Sequence, residues 1–152
     1  MGKVKALLPL QKIISSLKKK GNRIVFTNGC FDILHPGHIK ILKEAKSKGD
    51  ILVVGLNSDS SIKSIKGPGR PIMPQDARLI VLSAIEYVDF VVVFNQDTPY
   101  EIIKALRPDV LIKGEDWQKE KIIGREFAKK IFRIKFHPGY STTSIIQKIK
   151  DA

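Results

Sequence analysis

Residues 27–38 read Thr-Asn-Gly-Cys-Phe-Asp-Ile-Leu-His-Pro-Gly-His, and His35 and His38 are the two groups in it best suited to handling charge. Side chains three apart at a helix start project to one side, and Pro36 suits a first helical turn. A helix start directs unpaired backbone N–H groups and a positive dipole end outward. Two imidazole donors placed there suit phosphate oxygens. Gly29 lets backbone amides approach a phosphate closely, and Gly37 removes a side chain that would stand in the ligand's way. Cys30 lies within this loop, but no triad supports it as a nucleophile, so only its backbone is expected to matter. A histidine pair also fits a solvated cap or half a metal site. The order strand, glycine loop, imidazoles and helix start favours a phosphate cradle.

The elements that position this loop follow from hydrophobic periodicity. Pro9–Lys20 predicts a helix ended by Gly21, and Arg23–Thr27 a short strand. Pro36–Lys48 predicts a helix, and Ile51–Leu56 a strand buried on both faces. Ser58–Lys66 predicts a short helix, followed by the breaker cluster Gly67-Pro-Gly-Arg-Pro71. Helical spacing of Leu79, Leu82 and Ile85 extends a helix over Pro74–Tyr87, before a strand at Phe90–Phe94. Thr98-Pro-Tyr-Glu101 reads as a capping box opening a helix to Leu106. Strands at Val110–Lys113 and Ile131–Phe136 and a helix at Ser141–Lys150 complete the chain. Alternating strands and helices predict an α/β fold, a doubly wound Rossmann-like parallel sheet of about five strands with helices on both faces. Ligands in such sheets sit beyond the carboxyl ends of the strands.

Composition narrows the function classes. The chain has 152 residues, 43% of them hydrophobic, which suits one domain with a real core rather than a disordered chain. Cys30 is the lone cysteine, so neither a disulfide framework nor a cysteine-rich zinc site is expected. No apolar run is long enough to span a bilayer, and the amino terminus lacks a secretory pattern, so a cytoplasmic location and no membrane partner are expected. The net charge is +12. It is spread along the chain with one short block, Lys18–Lys20, and no aromatic-interleaved basic stripe. A lysine-rich solvated surface, or a protein that handles polyanionic small molecules, explains it, and no nucleic-acid partner is expected.

The segment Thr27–His38, with Gly29, Phe31 and Asp32 in a Gly-x-Phe-Asp element before the histidines, resembles the His-x-Gly-His signature of the cytidylyltransferase-like nucleotidyltransferase superfamily. Class I aminoacyl-tRNA synthetases share the histidine motif, but they are longer and carry a Lys-Met-Ser-Lys-Ser loop that is absent here. Further matches follow in order at Asn57-Ser-Asp59, Lys66-Gly67, Arg70-Pro71, Pro74, Arg78 and Asp97-Thr-Pro99. Lys113-Gly-Glu-Asp-Trp117 and Gly139-Tyr-Ser-Thr-Thr-Ser-Ile-Ile146 complete the series. These are similar to the sugar 1-phosphate adenylyltransferases of the superfamily, from about Arg23 to Lys150. The glycerol-3-phosphate cytidylyltransferases carry an Arg-Thr-Glu-Gly-Ile-Ser element before the last helix. Here Phe136-His-Pro-Gly-Tyr-Ser141 has no arginine, which counts against that substrate.

The resemblance implies transfer of AMP from ATP to heptose 1-phosphate, giving ADP-heptose for the lipopolysaccharide core. CTP-dependent transfer to a polyol or amino-alcohol phosphate is the alternative, and a non-catalytic nucleotide or nucleic-acid binding module the second. It implies a nucleotidyltransferase domain over 23–152, preceded by an N-terminal helix over 1–22. In many bacteria such a unit is fused to a sugar kinase; a stand-alone form with a separate kinase partner is expected here, and a homodimer is left open. His35 and His38 would contact the triphosphate, and Thr27 and the amides of Asn28, Gly29, Cys30 and Phe31 would hold phosphates. Asp32 would order the loop or place the substrate phosphate, or serve only as a turn cap. Lys66, a further catalytic candidate, and Lys63 lie past the second strand and can pair with phosphate as point charges. Arg70 and Arg78 can bind it bidentately, although Arg78 also suits a packing or ion-pair role. Asn57 and Asp59 are carried over as substrate contacts. Gly114, Asp116 and Trp117 would meet nucleotide or sugar, with Trp117 equally suited to a structural place. Ser141, Thr142 and Thr143 open the last helix, where hydroxyls and amides meet an anion or simply cap. Mg²⁺ would arrive on the triphosphate, with no dedicated protein cage.

Overall fold

The computed structural model describes residues 2–152. Its helices are α1 (Leu7–Lys19), α2 (Pro36–Lys46), α3 (Asp59–Lys66), α4 (Gln75–Ser83), α5 (Tyr100–Leu106) and α6 (Thr142–Lys150). Its strands are β1 (Ile24–Gly29), β2 (Ile51–Asn57), β3 (Phe90–Phe94), β4 (Val110–Gly114) and β5 (Lys130–Ile134). All strand pairs are parallel, in the order β3-β2-β1-β4-β5.

The apolar strand residues alternate between two cores, as the period of two requires. Ile24, Phe26, Val53, Val92 and Leu111 face α1 and α5, where Leu10, Ile14, Ile102, Ile103 and Leu106 cover them. Val25, Leu52, Val54, Val91 and Ile112 face α2 and α4, where Leu42, Ala45 and Leu82 do the same. Helix α1 has no side-chain cap at Ala6. It is held instead by Leu10 and Ile14, both buried, each contributing roughly 1.5–3 kcal/mol. The segment before it covers the free edge of β3 through a parallel bridge between Val4 and Val91. The sheet edge is thereby closed to other strands.

Strand order reverses at β1, which makes the gap between β1 and β4 the switch point where ligands enter such sheets. The pairing there is short. β1 and β2 are in register over six pairs, Ile24–Ile51 to Gly29–Leu56. β1 and β4 pair only at Val25–Val110 and Phe26–Leu111, and both strands run on beyond.

Three local expectations are corrected. The helix read over Pro74–Tyr87 ends at Ser83. Ile85 and Tyr87 still pack on the core, but from a turn that brings Asp89 to the Leu52 N–H and Lys46. No capping box forms at Thr98, because Pro99 occupies the N-cap and has no acceptor side chain. The last strand stops at Ile134, and Phe136 leaves the sheet to donate its N–H to the Glu115 carboxylate.

Candidate active site

The loop after β1 has an unusual backbone. Phe31 and Ile33, neither of them glycine, have φ of 48° and 50°. Such side chains in the left-handed region cost of order 1–3 kcal/mol and persist only where surroundings impose them. Asp32 between them supplies the constraint. It is buried, and its two carboxylate oxygens accept the backbone N–H groups of Ile72 and Met73 at 2.7 and 2.9 Å. Its own carbonyl accepts the Thr142 hydroxyl at 2.9 Å. Asp32 thus ties the loop after α3 and the start of α6 to the loop after β1. Its carboxylate is engaged by the chain, which favours the loop-ordering one of its readings.

The two histidines form one unit at the start of α2. His35 is the N-cap, and its Nδ1 accepts the Gly37 N–H at 3.1 Å. His38 Nδ1 accepts the His35 N–H at 3.2 Å. The ring centroids lie 3.8 Å apart. A neutral imidazole that accepts at Nδ1 carries its proton on Nε2. Both rings therefore offer an Nε2–H donor away from the helix. Burial, then the neighbouring His35 and Lys66, holds His38 down to about 4. Burial, then His137, lowers His35. With no ligand bound, both rings are neutral Nε2–H donors at neutral pH.

Gly37 has a role other than the one its position suggested. A Cβ there would stand 2.8 Å from the His35 ring, so the missing side chain makes room for that imidazole. Gly37→Ala is expected to displace the His35 ring and lower turnover at least tenfold, with a melting point within a few degrees of wild type. Steady-state rates beside a thermal unfolding curve check it. Gly29 likewise accommodates the Phe31 ring, 3.0 Å from its virtual Cβ.

A cavity of about 340 Å³ opens beside His38 at the carboxyl ends of the strands. Thr27, Asn28, Gly29, Cys30, Phe31 and Asp32 line it from β1 and its loop. Lys66 and Arg70 reach it from the end of α3 and the loop beyond, and Gly114, Asp116 and Trp117 from behind β4. Thr142 closes one side from α6. Arg70 Nε is buried without a hydrogen-bond partner and forms an ion pair with Asp32 at 3.6 Å, which holds the guanidinium at the cavity wall. Burial, only partly opposed by Lys66 and Arg78, keeps the Cys30 thiol protonated, in keeping with a backbone role.

Several expected residues lie elsewhere. His35 and Gly37 stand outside the cavity lining, and His35 instead flanks an adjoining apolar hollow with Pro36 and His137. Arg78 is only 2% exposed, and its guanidinium is consumed by the protein itself. It donates to the carbonyls of Met73, Cys30 and Asn57 and to the Asp59 carboxylate, at 2.8–3.0 Å. Of the two readings of Arg78, the geometry favours the packing and ion-pair one, while the Asp59 carboxylate is paired with Arg78 and 40% exposed. Asn57 is likewise buried, its amide donating to Ser61. Lys63 does not line the cavity. Ser141 forms a capping box with Ser144, and neither Ser141 nor Thr143 lines the cavity. Ile41, Lys113 and Phe136 line it without having been singled out. Lys113 stands out among them: a lysine ending a buried strand beside a glycine, on the ligand edge, carries the same signal as Lys66.

The lowered His38 value has a consequence for stability. Its folded value lies below the ordinary 6.5, so between those values the unfolded chain binds a proton that the native site refuses. The contribution is present above about pH 6.5 and is lost as pH falls through about 4. Melting points of wild type are therefore expected to drop more steeply over that window than those of His38→Asn, which keeps an acceptor but does not titrate. Parallel slopes would show that the site does not resist protonation.

A parallel sheet with a switch-point cavity, a strained loop and an imidazole pair at a helix start defines a nucleotide-binding α/β protein of the His-x-Gly-His type. Comparison with known families gives a match to the cytidylyltransferase-like model over residues 26–148. The chain belongs to the cytidylyltransferase-like family. It is 54% identical over 144 residues to the bifunctional protein HldE of Helicobacter pylori, covering 95% of this chain and 31% of that one. It is 49% identical over 147 residues to the bifunctional protein HldE of Nitratiruptor sp., covering 97% of this chain and 32% of that one. The chain thus spans about a third of the length of these curated relatives. Among solved structures, a lipopolysaccharide core biosynthesis protein from Thermoplasma volcanium is 32% identical with a TM-score of 0.66, covering 77% of this chain and 99% of that one. Pantoate-beta-alanine ligase from Francisella tularensis, solved with beta-gamma ATP and beta-alanine, shares the fold at 17% identity and a TM-score of 0.65, over 100% of this chain and 79% of that one.

Proposed function

We propose that the protein is a nucleotidyltransferase that moves AMP from ATP to heptose 1-phosphate, releasing pyrophosphate. The observation that carries this reading is the paired Nε2–H donors of His35 and His38 at the start of α2, beside a cavity that also holds Lys66 and Arg70. An oxygen of the sugar phosphate attacks the α-phosphorus of ATP. The bond to the β-phosphate oxygen breaks, and its electron pair leaves with pyrophosphate. The nucleophile is already an anion, so no general base is needed, and positioning and charge stabilisation dominate. The two imidazoles donate to oxygens that gain charge in the transition state, while Lys66 and Arg70 neutralise phosphate charge.

Among the described residues no group of three or more His, Cys, Asp or Glu side chains is arranged to hold a metal. Mg²⁺ is therefore expected to enter on the triphosphate and supply further charge neutralisation there. The heptose assignment draws support from the HldE relatives and from the lipopolysaccharide core biosynthesis protein. The HldE relatives are bifunctional proteins, which suits a reaction series in which a sugar kinase supplies the sugar phosphate. No helix among the described residues is long and apolar enough to cross a membrane. We place the reaction in the cytoplasm, where ATP is available.

Pyrophosphate release with Mg²⁺, heptose 1-phosphate and either ATP or CTP tests the reading. Release with ATP alone is the expected result. Release with CTP alone would keep the chemistry and overturn the choice of nucleotide. No release with either would overturn the proposed substrates.

A further inference from the structure

Beyond Phe26 and Leu111, β1 and β4 are joined by side chains rather than by a backbone ladder. The Thr27 hydroxyl donates to the Ile112 carbonyl at 3.3 Å, one residue past the last pair. One residue further, Lys113 Nζ donates to the Asn28 side-chain oxygen at 2.6 Å. The floor of the crevice therefore opens between the strands at the switch point, and a lysine ammonium spans it.

That ammonium is incompletely satisfied. It has three N–H donors, and its hydrogen-bond partner in the protein is a neutral amide oxygen. No carboxylate among the described residues lies within ion-pair distance of it, although five such pairs form elsewhere. It stands 5.2 Å from the centroid of the Trp117 ring, which shields it from water and favours its charge. Burial, weakly opposed by Asp116, lowers its value to about 8. A partly buried cation with no carboxylate at ion-pair distance is costly to keep. A structure that keeps one in a ligand cavity, held from two sides, is arranged for an anion to complete it.

We infer that Lys113 is a phosphate-binding residue of this site, its ammonium held by Asn28 and Trp117 to meet an oxygen of a bound phosphate ester or anhydride. The inference rests on the transferase reading for the identity of its ligands, which are the phosphates of the nucleotide or of the sugar. It places a fixed cation on the sheet itself, apart from the histidines on α2 and from the cations after α3. A strand end moves less than a loop, so this contact sets where a phosphate sits rather than following it.

Calorimetric titration of the full chain with ATP, pyrophosphate and heptose 1-phosphate, for wild type, K113M and K113R, tests this. K113M is expected to weaken at least one of these ligands about tenfold to a hundredfold, as the loss of a charge-assisted hydrogen bond does. K113R should recover part of the loss. Loss for ATP and pyrophosphate together assigns the contact to the nucleotide, and loss for heptose 1-phosphate alone assigns it to the acceptor. Equal affinities of K113M and wild type for all three overturn the inference. Should K113M fail to fold, lysine side-chain NMR of wild type, with K113R for assignment, answers the same question. A Lys113 signal that moves on saturation with any of the three supports contact, and a signal unmoved by all three overturns it. Wild type that binds pyrophosphate or ATP through Lys113 yet makes no ADP-heptose would overturn the transferase reading alone. Wild-type turnover with K113M affinities unchanged would overturn the Lys113 inference alone.

Discussion

Replacing His38 with alanine is expected to slow turnover by about a hundredfold to a thousandfold, the usual cost of one donor aimed at developing charge. The same substitution removes the acceptor for the His35 N–H and with it half of the reciprocal cap of α2. A lost cap costs about 1 kcal/mol, which lowers the melting point of a domain this size by only about 2–4 °C. The two effects are separable at His35. His35→Asn keeps a good N-cap acceptor for the Gly37 N–H but cannot reach where the imidazole Nε2 reaches. It should melt at or above the wild-type temperature and still lose about a hundredfold in turnover. Single-turnover rates beside calorimetric melting points decide it. A His35→Asn enzyme with near-normal turnover would reduce His35 to a cap and leave His38 as the one imidazole in the chemistry.

Arg78→Met is expected to destabilise the fold by about 3–5 kcal/mol, as removal of a buried charged partner does. Three carbonyls, from Cys30, Asn57 and Met73, lose the donor they share, and each faces a desolvation cost of about 1–3 kcal/mol. The expected fall in melting point is about 10 °C. Asp59→Asn should cost far less, because the Asp59 carboxylate is 40% exposed and water can replace the pair. Arg78→Lys should resemble Arg78→Met, since one ammonium cannot span the positions that the planar fork reaches. Denaturant unfolding of the three variants orders them. A stable Arg78→Met with weakened nucleotide binding would restore the phosphate role that the geometry denies.

Much of the fold was legible because parallel βα units write their order into the chain. Every strand and α-helix was anticipated to within a few residues, apart from the overrun of α4, while the 3-10 turns at Lys119–Lys121 and Arg125–Phe127 were not. There the periodic apolar residues do reach the core, but from a turn, and periodicity records burial without recording backbone path. The site was legible where chemistry is local. Thr27 to His38 carries a cradle in twelve consecutive residues. It was illegible where partners are distant. Lys113 had a local signal, a strand-end lysine beside a glycine, but among 27 basic residues that signal is faint, and its bond to Asn28 spans 85 positions. Arg78 had a readable signal for the packing alternative that stood beside its phosphate reading. It precedes Leu82 by one helical turn, which puts it on the buried face of α4. The glycines at 29 and 37 were marked by position, but the rings they accommodate belong to their own loop.

The bond from Thr142 to the Asp32 carbonyl joins residues 110 positions apart. Asp32 is made well before α6, yet the backbone it anchors receives its last support only when α6 has followed. At typical rates of roughly 5–20 residues per second, that interval is about 5–20 s. A nascent chain over this period holds the imidazole loop without its final tether. Nucleotide capture by the growing polypeptide should therefore be weak until α6 has formed and Thr142 reaches the Asp32 carbonyl, and affinity should rise abruptly at that point.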